Sequence, residues 1–300
     1  MCGIKFSFFR INRYAKIISR IIYFSVLNNK PIRIVTTDTL KVYSIFGGNL
    51  LPLIGVQNKD KIRKLTIIGF LNDSDVLFLR KMNNLEVLDL KDVIYPWNKF
   101  KKEKRAVDYY FTNPMSCREV LKEFIMPDNI KEIPSFAFKH YVCLQKIGLS
   151  RYLQKIGDYA FEGTAITHFL IPKTVISVGV DVFRDCKFLK TVEVEDGEGL
   201  LKWKGKQFSG CLLRSVYLGR DSRMGFSLVV NNTIEQLICG TRIKKINFQV
   251  EGLNKLICYS NRPPELDTKF HLETSVFVPK KYYANYWLSP EWDDIEVKML

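Results

Sequence analysis

A phrase of about 23 residues recurs through the middle of the chain, and a repeat of that length leaves few architectures open. The copies read LKEFIMPDNIKEIPSFAFKHY from Leu121, LQKIGLSRYLQKIGDYAFEGT from Leu144, ITHFLIPKTVISVGVDVFRDC from Ile166 and LKTVEVEDGEGLLKWKGKQFSGC from Leu189. Each holds an L-x-x-I-x-L run, a turn often marked by Pro, and a shorter V-x-x-I-G-like run. A small-Phe pair follows, with Cys or a small polar residue three positions on. A unit this short cannot bury its apolar face alone, so neighbouring units must stack. The expectation is a solenoid of stacked coils whose strands form parallel sheet.

The rest of the chain is read around that array. Composition is that of an ordered body, with 47% apolar and 26% charged residues in 300, which excludes a disordered or collagen-like chain. No stretch is long enough to span a bilayer as a helix. Residues 1–31 form a leader in which Lys5, Arg10, Arg13, Lys16 and Arg20 precede the apolar run Ile21–Leu27. The order of parts is that of a poor signal peptide, with a short apolar run and no small-residue cleavage site, or else of a short amphipathic or disordered leader. Residues 32–93 are expected to cap the first coil and supply one repeat-like unit. That segment reads as a helix over Thr39–Phe46 ended by a Gly47-Gly48 turn, then the strand IRKLTIIG. A short helix capped by Asp73 or Ser74 follows, presenting Val76, Leu77 and Leu79, and LEVLDL closes the unit. Residues 94–118 break the period and read as an insertion, 119–259 as the array, and 260–300 as a C-terminal cap. The cap has a helix over Tyr282–Leu288 and places Trp287 and Trp292 in the core or as a lid.

Motifs that carry chemistry are absent. Seven cysteines occur without a C-x-x-C pair, so neither a zinc site nor a thioredoxin-like motif is indicated. Cys186 and Cys211 fall at the same repeat position, which suits a column of small buried thiols or a bridge between neighbouring coils. His140, His168 and His271 stand without metal-ligand spacing, and there is no nucleophile elbow, P-loop or dinucleotide fingerprint. No catalytic group, metal or cofactor is assigned. Asp181 and Asp185 recur at coil corners, where carboxylates cap turns.

Binding residues can be placed by the strand period. In L-x-x-I-x-L the first, fourth and sixth residues face inward, leaving the third and fifth outside. The fifth positions are Asp89, Ile125, Gly148, Leu170, Glu193, Tyr217 and Ile238. Ile125, Leu170, Tyr217 and Ile238 are large and apolar, and a contiguous outward patch of such residues marks an interface. The competing reading is that the insertion or adjacent coils cover them. His168 occupies an exposed third position. The insertion interleaves Trp97, Lys101, Lys102, Lys104 and Arg105 with Tyr95, Phe100, Tyr109 and Tyr110, a mixture suited to polyanions or glycans, or simply to a solvated loop. The formal charge of +15 is concentrated early: residues 1–60 carry nine Lys/Arg against two acids, and 61–120 carry twelve against eight.

The L-x-x-I-x-L-P, V-x-x-I-G and A-F-x-x-C elements resemble the BspA-type leucine-rich repeats of Bacteroides-like bacteria. The segment TTDTLKVYSIF with GFLNDSDVLFLRKMNNLEVLDL resembles what precedes the repeats in that family. The tail, with RPPEL, VFVPKKYYANYW and EW, resembles its usual ending. The third copy departs by having Val182 in place of Ala, and the fourth reads Gln207-Phe208. The resemblance spans residues 32–300 and implies a curved, right-handed leucine-rich repeat solenoid, β-rich with short helical turns and a cap at each end. It also implies export to the cell surface or envelope, or secretion, and binding of host proteins or other cells without catalysis. Apart from the resemblance, the expectation is a monomer that takes a protein or glycan ligand and no cofactor. The rival expectation is a polyanion-binding protein, taking nucleic acid or acidic glycan on its basic N-terminal third.

Overall fold

The computed structural model describes residues 33–35, 38–44, 46–94, 115–224, 234–246, 253–266 and 275–300, which divide into two compact units. The first unit ends with Met115–Asn129 and Lys146–Ser150, and the second comprises Ile130–Gln145 and the described residues of Arg151–Leu300. The leader, residues 1–31, lies outside the described residues.

In the first unit, β1 (Arg33–Val35) pairs antiparallel with β2 (Thr39–Ser44). β3 (Lys64–Phe70), β4 (Val87–Ile94), β5 (Glu123–Ile125) and β7 (Lys146–Gly148) then add in parallel. The helix expected over Thr39–Phe46 is therefore a strand through Ser44. Leu40, Val42 and Ser44 are buried while Thr39, Lys41 and Tyr43 face partly outward, a period of two that a helix could not satisfy. The helix of this segment comes later, at Leu50–Ile54, after a turn in which Gly48 has φ 92°. The next helix, Asp73–Leu79, is capped by Asn72 rather than by Asp73 or Ser74. The Asn72 side chain accepts from the backbone of Ser74 and Asp75, and the Asp75 carboxylate accepts in return from the Asn72 N–H. Asp75 is buried because it also accepts from the N–H groups of Gly48 and Leu50, tying the glycine turn to this helix. The helix buries Phe78 and Leu79 and leaves Leu77 exposed.

The second unit is the repeat array, and each coil contributes a strand to one of two faces. One face is a five-stranded parallel sheet of β6 (Glu132–Ile133), β8 (Lys155–Ile156), β10 (Ser177–Val178), β12 (Leu201–Trp203) and β14 (Ser222–Met224). The other is a seven-stranded parallel sheet of β9 (His168–Ile171), β11 (Thr191–Val194), β13 (Ser215–Leu218), β15 (Gln236–Cys239), β17 (Lys255–Cys258), β19 (Ser275–Val278) and β20 (Val297–Met299). β16 (Lys245–Ile246) and β18 (Glu265–Leu266) form a separate parallel pair.

The core between the faces is a ladder of rings. Phe138, Phe161, Phe183 and Phe208, one per coil, stack nearly parallel with centroids 5.5, 5.9 and 5.6 Å apart. This is the second member of the small-Phe pair. On each side of a ladder ring the backbone turns left-handed: Phe136 and His140 flank Phe138, Tyr159 and Gly163 flank Phe161, and Asp181 and Asp185 flank Phe183. The conformation is costly for residues other than Gly. Here it aims the N–H groups along the stack, where Phe136, Tyr159 and Asp181 each donate to a carbonyl of the following coil.

Cys186 and Cys211 are free, buried thiols. The Cys186 Sγ donates to the Phe161 carbonyl at 3.0 Å and the Cys211 Sγ to that of Phe183 at 2.9 Å. At the C-terminal end the helix is Tyr283–Trp287. Tyr286 and Trp292 are buried edge to face, their rings 5.0 Å apart. Tyr286 donates to the Ser260 carbonyl and Trp292 to that of Pro264. Trp287 corrects its expectation: it is 67% exposed, so only Trp292 serves as a core residue.

Candidate interaction surface

The outward face of the seven-stranded sheet is built by strict register. Its fifth-position column runs Leu170, Glu193, Tyr217, Ile238, Ile257, Phe277 and Lys298, each paired with the next. Rungs of a sheet are about 4.8 Å apart, so Glu193 and Lys298 stand about 24 Å from each other. Between them Tyr217, Ile238, Ile257 and Phe277 form an uninterrupted apolar strip. Within it Tyr217, Ile238 and Phe277 are half-buried and Ile257 is buried. Tyr259, 41% exposed, stands two residues beyond Ile257.

The ends of the strip differ in charge. Lys255 places its ammonium 4.4 Å from the Phe277 ring centroid, and Lys298 donates to Ser275 Oγ. At the other end Glu193 is in the column, and the Tyr217 hydroxyl donates to both carboxylate oxygens of Asp196 at 2.9 and 3.0 Å. Burial, then the carboxylate of Asp196, pushes the Tyr217 phenol up to about 12. A Cβ on Gly240 would come within 2.8 Å of the Tyr217 hydroxyl oxygen, so that glycine leaves the space in which the ring lies. Beside the strip runs the third-position column of His168, Thr191, Ser215, Gln236, Lys255 and Ser275. It is polar and joined across coils: His168 Nδ1 bonds Thr191 Oγ1 at 2.7 Å, and Gln236 donates to Ser215.

Of the residues picked out by the strand period, Tyr217 and Ile238 are direct neighbours in register. Leu170 lies in the same column, 44% exposed, and is separated from them by Glu193. Ile125 belongs to the sheet of the first unit, between Asp89 and Gly148. A Cβ on Gly148 would meet Ile125 Cγ2 at 2.8 Å, so Ile125 spreads over a bare glycine. Trp97, Lys101, Lys102, Lys104 and Arg105 lie outside the described residues. The sequence reading missed Ile257, Phe277 and their two lysines. L-x-x-L-I-C from Leu253 carries the strand grammar and places Ile257 at the fifth position. VFVP, assigned to the cap, held the signal for Phe277.

Among the described residues no group of His, Cys, Asp or Glu is placed to hold a metal ion, and no helix is long and apolar enough to cross a membrane. In-register parallel coils, an inward column of Leu, Ile, Val and Phe, and an outward ribbon of variable side chains define a leucine-rich repeat solenoid, a class of scaffold associated with protein interaction. Residues 108–227 match the model of the BspA type leucine rich repeat region in six copies.

Among solved structures the chain is similar to a leucine-rich repeat protein from Bacteroides ovatus, with 16% identity and a TM-score of 0.37 over 80% of this chain. It spans 64% of the length of that protein. It is also similar to a leucine rich cell surface protein from Faecalibacterium prausnitzii (13% identity, TM-score 0.33, covering 90% of this chain and 86% of that one). The same holds for the pneumococcal vaccine antigen PcpA (13%, TM-score 0.26, 90% and 88%). No curated protein matches the chain.

Proposed function

We propose that this chain is a non-catalytic recognition module, displayed on the cell surface or secreted, that binds a macromolecular partner along the outward ribbon of its repeat array. The observation that carries the reading is the unbroken strip of Tyr217, Ile238, Ile257 and Phe277. Apolar side chains aligned on a solvated sheet face gain by being covered, at roughly 25 cal/mol for each Å² removed from water. The polar ends fix orientation, with Glu193 and Asp196 at one end and Lys255 at the other, where Lys298 is paired with Glu296 at 3.2 Å, since charges at a rim set register more than affinity. Leu170 extends the ribbon on the acidic side, and Ile125 offers a separate apolar point in the first unit. The repeat family and fold are typically non-enzymatic, which accords with this reading.

The test is binding of the wild type and of Ile238→Asp to arrayed proteins of the cell surface and medium that the organism meets, with melting temperatures compared. Partners retained by the wild type and lost by a variant of unchanged stability support the ribbon. Retention that collapses with salt and is competed by DNA would favour a polyanion partner. Protease shaving of intact cells that express a C-terminally tagged chain checks display, with loss of the tag expected.

A further inference from the structure

The five-stranded sheet has an outward face of its own. Its column reads Glu132, Lys155, Ser177 and Lys202 in register through β6, β8, β10 and β12. Over it lies an open cleft of about 680 Å³ lined by Lys155, Lys202, Lys204, Ser177, Ile176 and Leu200 among others. Three features of the cleft point to one kind of ligand. First, Lys155, Lys202 and Lys204 have no ion-pair partner among the described residues. Of the two carboxylates in the lining, Asp158 is engaged, accepting from the Val180 N–H at 2.8 Å, and Glu132 stands at the outer rung. Second, Ile176 is 51% exposed and Leu200 37% exposed, an aliphatic shelf beside the ammonium groups. Third, the described residues that line the cleft include no aromatic side chain, so they offer bases and sugar rings no stacking platform.

We propose that this cleft binds an acidic peptide segment in the polyproline II conformation running along the stack, with carboxylates three residues apart and aliphatic side chains between them. The spacing follows from the sheet. Lys155 and Lys202 are two rungs apart, about 9.6 Å, and a polyproline II chain, at three residues per turn and about 3.1 Å per residue, covers about 9.3 Å in three residues and returns side chains three apart to the same face. One carboxylate then meets Lys155 and the other meets Lys202, with Lys204 two residues further along the same strand direction. Intervening Leu, Ile or Val side chains rest on Ile176 and Leu200. Glu132 reverses the sign at the outer rung and stops the acidic segment there. This surface is separate from the ribbon strip, so either can fail alone.

The experiment uses the full chain and a labelled synthetic peptide with Glu at every third position and Leu between, read by fluorescence anisotropy at low salt. Lys155→Glu with Lys202→Glu should weaken binding at least ten-fold and Ile176→Ser several-fold. Ile238→Asp on the ribbon should leave it unchanged, and the cleft variants should keep the wild-type melting temperature, since Lys155, Ile176 and Lys202 are exposed. A peptide of the same composition with its glutamates clustered should bind several-fold more weakly. The proposal is overturned if the charge reversal has no effect, if clustering is immaterial, or if single-stranded DNA or a sulfated polysaccharide outcompetes the peptide for the cleft.

Discussion

Phe161 is enclosed by three rings, Phe138 at 5.5 Å, Phe183 at 5.9 Å and Phe169 at 5.1 Å, and has no solvent exposure. Its neighbours belong to the coils on either side and cannot all collapse inward, so Phe161→Ala should leave a cavity and cost about 3–5 kcal/mol. Denaturant unfolding measures this, and a loss below about 1 kcal/mol would mean that the ladder closes over the gap. Tyr217 is the residue where charge can be followed. A phenol raised from 10.0 to about 12 is favoured in its neutral form by the fold. Its contribution to stability is whole below pH 10 and is lost as pH rises through 12. Spectrophotometric titration of the tyrosines should lose a late-ionising component in Tyr217→Phe. Asp196→Asn should bring that component part of the way back toward 10, and an unmoved value would assign the shift to burial alone.

Strands and turns show which parts of the fold the sequence made legible. The inward column was readable because every copy from Leu121 to Cys211 obeys one spacing, and the ring ladder follows from the small-Phe pair. The left-handed corners were not: Gly163 and Gly210 announce theirs, but His140, Tyr159 and Asp185 carry the same φ, a conformation uncommon outside Gly even though His and Asp tolerate it better than Tyr. What holds them is the N–H rung to the next coil, a long-range bond invisible in local sequence. Thr39–Ser44 was misread because its edges are polar and a Gly-Gly pair follows, whereas the deciding fact is pairing with β1 and β3. Of the ribbon, the half through Ile238 was legible and the half through Phe277 was not. β19 is four residues long and lacks the leading Leu, so only pairing with β17 reveals its register. Close approach of coils also explains the glycines of the five-stranded sheet. A Cβ on Gly179 would sit 2.4 Å from Asp158 Oδ1 and 2.5 Å from its backbone N. Because backbone cannot swing aside, Gly179→Ala should wedge two coils apart, with an expected loss of about 1–3 kcal/mol. A thermal melt matching the wild type would show that the turn relaxes freely.

For the molecule as a whole, the question is how a formal charge of +15 coexists with recognition by shape. Long-range attraction follows from where charge is placed along the chain, and it draws in any polyanion with little selectivity and strong salt dependence. The ribbon and the lysine cleft act at contact, where register and apolar area decide. The two contributions separate by mutation. Changing Lys101, Lys102, Lys104 and Arg105 together to Ser lowers the formal charge from +15 to +11 without touching either surface residue set. Retention on immobilised DNA should then fail at lower salt, and the slope of log affinity against log salt should flatten by up to about 3–4, the four lost phosphate contacts at 0.7–0.9 each. The melting temperature should hold, and so should binding of any partner that depends on Ile238. A chain that unfolds on losing these four charges would show that they hold structure together, and the basic segment would then leave the list of surfaces available to a ligand.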